Sequence, residues 1–378
     1  MEPKDHERWM RYAIALAKKA WGDTHPNPMV GAVLVHNGKT VAEGFHAKAG
    51  ELHAERAALQ SIELSKNEQK EGVLYVTLEP CCTHGRTPPC VEIILEKKIA
   101  HVVVGAIDPN PKHQGKGIEI LETAGVKVTQ GILEKECEDL NLIFTHRMKT
   151  GLPLIALKSA TTLDGKIATS SGKSKWITGS KARQNVMRWR KYFPAIGIGA
   201  GTALADNPSL TVRENEDTLQ CPVRFVFDRK LITQNHIPEL NLFQDQWTQQ
   251  TILVTDKANP KDEIRRYWDT GCEVLTLDFA RGAFPAEEFK KALDKLELFG
   301  VYLEGGAGLA ETFLKADSID YLFLYQAPKI FADARAPSFV SGLTPKNPSD
   351  AIHLQNPTYE QFGDDFLTRG WVGKRPSR

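Results

Sequence analysis

The sequence predicts a mixed α/β protein of two successive domains, each a sheet flanked by helices. Three observations carry this reading. At 378 residues the chain exceeds the length at which a single hydrophobic core stops growing. Short apolar runs alternate with segments of helical periodicity along almost the whole chain. A turn-prone Gly151-Leu152-Pro153 interrupts that alternation just before a fresh strand. Domains of 1–150 and 151–378 follow.

In the first domain, Met1 to Lys19 reads as an amphipathic helix through Trp9, Tyr12, Ala13, Leu16, Ala17 and Ala20. Val30 to Val35, the turn His36-Asn37-Gly38-Lys39 and Val41 to Phe45 read as strand, tight turn and strand. Ala54, Ala57, Ala58, Leu59 and Ile62 recur at helical spacing, which predicts a helix over 51–64. A strand over 73–78, a Pro- and Gly-punctuated loop over 79–89, a helix over 91–97 and a buried strand over 101–107 complete the pattern, which runs on to about Ile132.

The second domain starts with a strand over 154–161. Further strands are expected at 195–199, 223–228, 251–255, 273–277, 301–304 and 321–325, with helices at 180–191, 261–268, 286–296 and 309–316. Strand–helix alternation of this kind predicts a mostly parallel sheet. The basic, Gly- and Pro-containing stretch from about Leu367 to Arg378 reads as a loose tail. No internal repeat and no low-complexity tract interrupts the pattern.

Composition excludes several classes of function. Hydrophobic residues make up 41% and charged residues 25%, as in a soluble globular protein. Lys plus Arg number 48 against 47 Asp plus Glu, so no broad field draws the chain to nucleic acid or to a membrane surface. An anionic ligand therefore needs a local site. With no signal core at the N-terminus and no apolar run long enough for a bilayer, a cytoplasmic protein is expected. Three of the six cysteines fall between Cys81 and Cys90, and the others, Cys137, Cys221 and Cys272, are scattered. That layout asks for a metal or a reactive thiol rather than a disulfide scaffold.

The metal reading is concrete. His53 opens a predicted helix, Cys81 follows a strand, and Cys90 stands at the start of another helix. One His and two Cys are three protein ligands for zinc, with the fourth tetrahedral position left to water, which is the catalytic arrangement. Zinc lowers the pKa of that water toward neutrality. Glu55, two residues from His53, stands close enough to shuttle a proton to a departing amine without being a ligand, and so is the candidate catalytic residue. The order H-x-E, P-C, C matches the zinc nucleobase deaminases. A closed, structural site would need a fourth ligand, for which Cys82 and His84 are available. The eight residues between Cys81 and Cys90 separate this chain from the P-C-x-x-C of nucleic-acid deaminases.

At this loop the sequence resembles the bifunctional riboflavin-biosynthesis deaminase/reductase family. Asn27-Pro28-Met29-Val30-Gly31, Gly44 to Glu55, Thr77 to Cys81, Gly85 to Cys90 and Asp108 to Pro111 match its deaminase half. Lys158 to Ala168, Ser174 to Thr178, Ala205 to Arg213 and Glu304 to Gly308 match its reductase half, so the likeness covers almost the entire chain. It implies a cytidine-deaminase-like three-layer α/β/α domain with one zinc ion, followed by a dihydrofolate-reductase-like α/β domain that uses NADPH. Asn27, His46, Arg86, Asp108 and Asn110 would line the pocket for the pyrimidine and ribose phosphate, Asn reading the ring edge and His46 and Arg86 pairing with phosphate. Standing alone, Asn27 and Asp108 would read as turn residues. The family carries a His two residues after the first Cys where this chain has Thr83; either His84 takes over that contact or the contact is absent.

In the reductase half, a strand running into Gly305-Gly306-Ala307-Gly308 and a helix places backbone N–H groups where a pyrophosphate binds. Gly197, Gly199 and Gly201 mark either a second close approach of cofactor or tight helix–sheet packing. By resemblance, Ala160, Trp176, Thr178, Thr202, Asp206 and the stretch Gly306, Ala307, Gly308, Leu309, Ala310, Glu311 and Thr312 contact NADPH. Lys158, Ser174, Arg190, Leu210, Arg213 and Glu304 face the substrate, with Arg190 and Arg213 suited to a ribose phosphate. Lys158 and Asp206 are the polar residues near the reduction, and the proton donor stays open between them and other sources.

The implied reactions are hydrolysis of the 2-amino group of 2,5-diamino-6-ribosylamino-4(3H)-pyrimidinone 5′-phosphate, then reduction of the ribosyl chain to ribityl. The expected partners are these small molecules and a second copy of the chain, with neither nucleic acid nor membrane.

Overall fold

The computed structural model describes residues 3–84, 88–214 and 217–373, and the chain divides into two compact units, Met1–Leu152 and Pro153–Arg378. The first unit runs α1 (Pro3–Ala17), β1 (Gly31–His36), β2 (Lys39–Phe45), α2 (Ala54–Leu59), α3 (Lys66–Glu71), β3 (Val73–Leu78), α4 (Cys90–Glu96), β4 (His101–Ala106), α5 (Lys116–Thr123), β5 (Lys127–Thr129), α6 (Glu134–Leu140) and α7 (Leu142–Thr150).

Its sheet has the order β2-β1-β3-β4-β5, with β1 antiparallel to both neighbours and β3, β4 and β5 parallel. Side chains alternate across it as the pleat requires. Ala32, Leu34, Leu74, Val76, Val102 and Val104 pack on α2, α4 and α5. The opposite face lies under α1 and α6. This is a three-layer α/β/α unit. Gly31 marks where α1 crosses the sheet, since a Cβ there would stand 2.0 Å from the Ala13 carbonyl oxygen.

The predicted helix over 51–64 is shorter than expected. His53 is its N-cap in extended conformation, the helix ends at Leu59, and Ser65 starts α3 with a capping box to Glu68. Ile62 still reaches the core, but from the connecting turn.

The second unit runs β6 (Leu154–Thr161), α8 (Ser180–Tyr192), β7 (Ala195–Gly199), α9 (Ala200–Asp206), β8 (Val212–Glu214), β9 (Asp217–Gln220), β10 (Val223–Phe227), α10 (Asn241–Gln244), β11 (Thr251–Asp256), α11 (Lys261–Trp268), β12 (Glu273–Leu277), α12 (Ala286–Lys295), β13 (Gly300–Leu303), α13 (Ala307–Lys315), β14 (Tyr321–Gln326), β15 (Leu354–Phe362) and β16 (Asp365–Val372). The sheet order is β12-β11-β10-β7-β13-β6-β14-β16-β15, nine strands, parallel from β12 to β14. Phe225, Phe289 and Phe313 fill the face covered by α12 and α13. Val226, Leu231, Phe243, Ile264 and Tyr267 fill the other, under α9, α10 and α11.

The stretch read as a loose tail is instead structured through Val372. β16 pairs antiparallel with β14 and β15 closes the edge, so the last part of the described chain is two strands of the sheet. Leu367 is fully buried and Arg369 lies 7% exposed, with its guanidinium bonded to Glu360 and to the Tyr321 hydroxyl. Burial through a long-range hairpin overrides the basic, Gly-containing composition.

Candidate active sites

In the first unit the site is assembled where parallel strands end and helices begin. Cys81 follows β3, Cys90 is the first residue of α4, and His53 caps α2. His53 Nδ1 lies 3.5 Å from Cys81 Sγ and 3.4 Å from Cys90 Sγ, and the three ligand atoms all lie within 4.8 Å of one another. Tetrahedral zinc with ordinary Zn–N and Zn–S bonds requires an N to S separation of roughly 3.5 Å, so these residues fit the ion. Their acidity fits as well. The Cys90 thiol as hydrogen-bond donor, with His53 and the Cys90 backbone N–H, holds Cys81 down at about 4, a thiolate poised for a metal.

Glu55, in the first turn of α2, is 3% exposed, and its burial, with the Cys81 charge adding, raises its carboxyl to about 7. A carboxyl that binds and releases a proton near neutrality suits a proton shuttle. Neither alternative fourth ligand joins the group. Cys82 Sγ lies 3.7 Å from His113 Nδ1, and His84 Nε2 lies 3.2 Å from the Glu92 carboxylate at the surface. His84 is held by Glu92 at the surface, and His113 is the imidazole that comes onto Thr83, with Nε2 3.4 Å from its hydroxyl.

The expected pocket residues divide. His46 Nδ1 lies 2.9 Å from the Leu52 carbonyl oxygen, which only accepts, so Nδ1 carries the proton and Nε2 accepts from the Asn27 amide at 3.1 Å. Burial lowers the His46 pKa. With both nitrogens engaged within the fold, the His46 ring orients Asn27. Its edge lies against His53, ring centres 5.5 Å apart, so Asn27 and His46 adjoin the ligand triad.

Asp108 and Asn110 sit in the loop after β4, where Asp108 Oδ1 accepts from the Asn110 N–H and Asn110 Oδ1 from the Lys112 N–H. Burial raises the Asp108 carboxyl to about 6. Arg86 lies outside the described residues.

Sequence reasoning gave no role to Glu79. Its carboxylate accepts from the backbone N–H groups of Asp108, Gly115 and Gly117 at 3.1, 2.9 and 2.9 Å, which ties the Asp108 loop to the start of α5. Its place between Leu78 and Pro80, two residues before Cys81, was the available signal.

In the second unit, α9 and α13 begin at the ends of neighbouring parallel strands, β7 and β13, and the Thr202 hydroxyl accepts from the Gly306 N–H at 3.3 Å. The predicted stretch 306–312 is only partly open to a ligand. Leu309 and Ala310 are core side chains whose N–H groups donate to the Gly306 carbonyl. The Glu311 carboxylate is taken by Lys315 and Ser341, and the Thr312 hydroxyl donates to the Gly308 carbonyl. The first-turn N–H groups of Ala307 and Gly308 remain as anion donors. A Cβ at Gly201 or Gly308 would meet nothing within 4 Å, so both helix starts are open, whereas Gly197 packs against Leu303 and Phe227. These features fit a dinucleotide.

Lys158, Arg190 and Glu304 come together. The Glu304 carboxylate receives Arg190 Nε and Nη2 at 3.0 and 3.1 Å and Lys158 Nζ at 3.5 Å, while Arg190 Nη1 donates to the Thr211 carbonyl at 2.7 Å. Burial alone would raise the Glu304 carboxyl; the charges of Arg190 and Lys158 outweigh it and hold the group at about 2. Arg190 is thus not a free cation but part of a cluster of net charge +1.

Leu210 is buried at positive φ, Arg213 is exposed on β8, Ala160 is partly buried near the end of β6, and Ser174 and Asp206 are partly exposed. Trp176 is 64% exposed beneath the Arg183 guanidinium. Its loop is held by Lys329 Nζ on the Trp176 and Ile177 carbonyls, by Arg183 on the Thr178 carbonyl, and by Asp365 on the Gly179 N–H.

Fold and sites together define a two-domain enzyme, a zinc-type nucleobase deaminase unit followed by an α/β reductase unit. Residues 3–106 match the cytidine and deoxycytidylate deaminase zinc-binding region, and residues 153–368 match the RibD C-terminal domain. The riboflavin biosynthesis protein RibD of Bacillus amyloliquefaciens is 41% identical over 95% of this chain and 94% of its own, and that of Escherichia coli K12 is 37% identical over 89% and 92%. Among solved structures, RibD of Acinetobacter baumannii superposes with a TM-score of 0.78 at 34% identity over 99% of this chain and 100% of its own. The deaminase/reductase of Thermotoga maritima gives 0.78 at 35% identity over 99% of both. The chain belongs to the RibD family, the bifunctional deaminase/reductases of riboflavin biosynthesis.

Proposed function

We propose that residues 1–150 hydrolyse the 2-amino group of 2,5-diamino-6-ribosylamino-4(3H)-pyrimidinone 5′-phosphate, and that residues 151–378 then reduce the deaminated product to 5-amino-6-(5-phosphoribitylamino)uracil. The observation that carries the first step is the His53, Cys81 and Cys90 triad with Glu55 beside it. One zinc ion held there would supply a Lewis acid that makes water nucleophilic near neutral pH. Glu55 takes the water proton and delivers it to the departing amino group. Asn27, oriented by His46, reads the pyrimidine edge. Asp108 and Asn110, on the loop tied down by Glu79, contact the ribosyl side of the ring.

In the second unit, Ala307 and Gly308 N–H groups, with Thr202, Thr178, Trp176, Asp206 and Ala160, would hold NADPH, which would supply the two electrons for reduction of the opened ribosyl group. The Lys158, Arg190 and Glu304 cluster presents its residual positive charge to the ribose phosphate, with Ser174, Leu210 and Arg213 around it. Lys158 is the group nearest in kind to a proton donor. We place both reactions in the cytoplasm, in a homo-oligomer acting on small molecules alone. Among the described residues no helix is long and apolar enough to cross a membrane.

The test is ammonia release and NADPH oxidation by the wild type and by Glu55→Gln, each with the diamino compound and with its deaminated product. The variant should retain zinc, lose ammonia release by about a hundredfold or more, and oxidise NADPH with the deaminated product at the wild-type rate. Retained ammonia release would refute the role of Glu55, and absence of NADPH consumption by the wild type would refute the second half.

A further inference from the structure

The loop between β4 and α5 brings His113 over the turn that carries Cys81. The backbone fixes it there, since the His113 N–H donates to the Asn110 carbonyl at 2.9 Å and its carbonyl accepts from Lys116 at 2.7 Å. The imidazole is half-buried, with Nδ1 3.7 Å from Cys82 Sγ and Nε2 3.4 Å from Thr83 Oγ1. The Lys116 side chain lies close enough to Cys82 for its charge to bear on that thiol.

This side of the site is the way out for the bulk of a substrate. The group to be hydrolysed has to reach Glu55 and Cys90, both of them buried, so the remainder of the molecule leaves toward the exposed side of the triad, where Thr83 is open to solvent. Among the described residues, the other cationic side chains near the triad are engaged within the fold. His46 holds the Leu52 carbonyl and the Asn27 amide at 2.9 and 3.1 Å, His84 pairs with Glu92, and the Arg56 guanidinium donates to the Pro88 and Pro89 carbonyls, whereas the His113 side-chain contacts are longer, at 3.4 and 3.7 Å. His113, the Thr83 hydroxyl and Lys116 are thus an imidazole, a hydroxyl and an ammonium gathered on one side of the Cys81 turn, a donor set for an anion.

We propose that His113, together with the Thr83 hydroxyl, binds the phosphate end of the deaminase substrate. The inference rests on the deaminase reading of the zinc site. The test measures ammonia release by wild type, His113→Ala, Thr83→Ala and the double variant Thr83→His/His113→Ala. Each is assayed with the phosphorylated diamino substrate and with its 5′-dephosphorylated counterpart. NADPH oxidation on the deaminated product by the same preparations reports that the chain is folded.

Loss of one charge-assisted contact should raise KM for the phosphorylated substrate about tenfold in His113→Ala, with a far smaller change in kcat and no change in KM for the dephosphorylated one. Thr83→Ala should show a smaller rise in the same direction. Returning an imidazole from the other end of the 3.4 Å contact, in the double variant, should recover most of the loss. An unchanged KM in His113→Ala, or a fall in kcat of equal size on both substrates, overturns the proposal. A wild type that releases no ammonia overturns instead the deaminase reading on which it stands.

Discussion

The two units place their chemistry at the same point of similar sheets, where parallel strands end, yet they prepare for their ligands in opposite ways. In the deaminase unit three soft side chains converge until their ligand atoms lie within 4.8 Å, and a fourth, Glu55, is buried beside them. In the reductase unit the groups left open at the strand ends are backbone N–H groups at helix starts, and the strongly charged side chains bind one another. The difference follows from what each site must hold. A metal demands deprotonated donors at fixed distances, so the side chains themselves are the site. A phosphate needs modest positive charge and oriented N–H groups, and Glu304 offsets one of two cations, the buried Arg190 and the partly buried Lys158, and fixes the geometry of both.

If the deaminase site is its side chains, removing one of them should abolish it and leave the other unit alone. Cys81→Ser, or exhaustive chelation of the wild type, should take ammonia release below detection while NADPH oxidation on the deaminated product stays within twofold of wild type. Zinc content by elemental analysis checks the cause. A parallel loss of reductase activity would show that the metal supports the whole chain and would break the contrast between the units.

The charge cluster makes a second, smaller expectation. Glu304→Gln leaves the buried Arg190 and the partly buried Lys158 without their counter-charge, which should destabilise the reductase unit by about 3 kcal/mol and lower its urea midpoint. The pH dependence sharpens this. With a folded pKa of about 2 and an ordinary value of 4.5, the carboxylate contributes its full stabilisation above pH 4.5 and loses it as the pH falls toward 2. Wild type should therefore lose stability over that window more steeply than Glu304→Gln, as read from unfolding midpoints at about pH 5 and pH 3. Equal slopes in the two proteins would mean that Glu304 is not the group protonated there.

The same contrast explains what the sequence made legible. His53, Glu55, Cys81 and Cys90 stand in short motifs at element boundaries, so local order was enough to bring them together. The helix breaking at Leu59 was also encoded locally, in the Ser65 to Glu68 capping box, a signal the apolar spacing through Ile62 masked.

Other features depend on residues far apart in the chain. Glu79 acts through backbone donors 29 to 38 residues away, and no residue pattern announces that. His113 meets Thr83 across 30 residues. Arg224, in the middle of an apolar strand, is fully buried because Asp245 and the carbonyls of Ser209 and Leu242 surround its guanidinium. Arg190 looked free for phosphate because Glu304, 114 residues later, was not visible as its partner. The terminal hairpin failed for the same reason: β16 is a strand because β14 lies beside it.

That hairpin yields the smallest effect and the finest test of the contrast. Asp365, 4% exposed at the start of β16, accepts from the Gly179 N–H at 2.6 Å and so anchors the loop that carries Trp176 and Thr178. The contact orders backbone without touching the charge cluster. Asp365→Ala should raise KM for NADPH roughly three- to tenfold, the worth of one hydrogen bond to a charged acceptor. Its kcat should stay near wild type, and ammonia release should be unchanged. Asp365→Asn keeps an acceptor for the same N–H and should recover most of the loss. If neither variant shifts KM, the loop is held well enough by Lys329 and Arg183, and the hairpin serves the sheet edge rather than the cofactor. If both shift kcat instead, the loop positions the reacting groups, and the reductase site depends on side-chain placement more nearly as the deaminase site does.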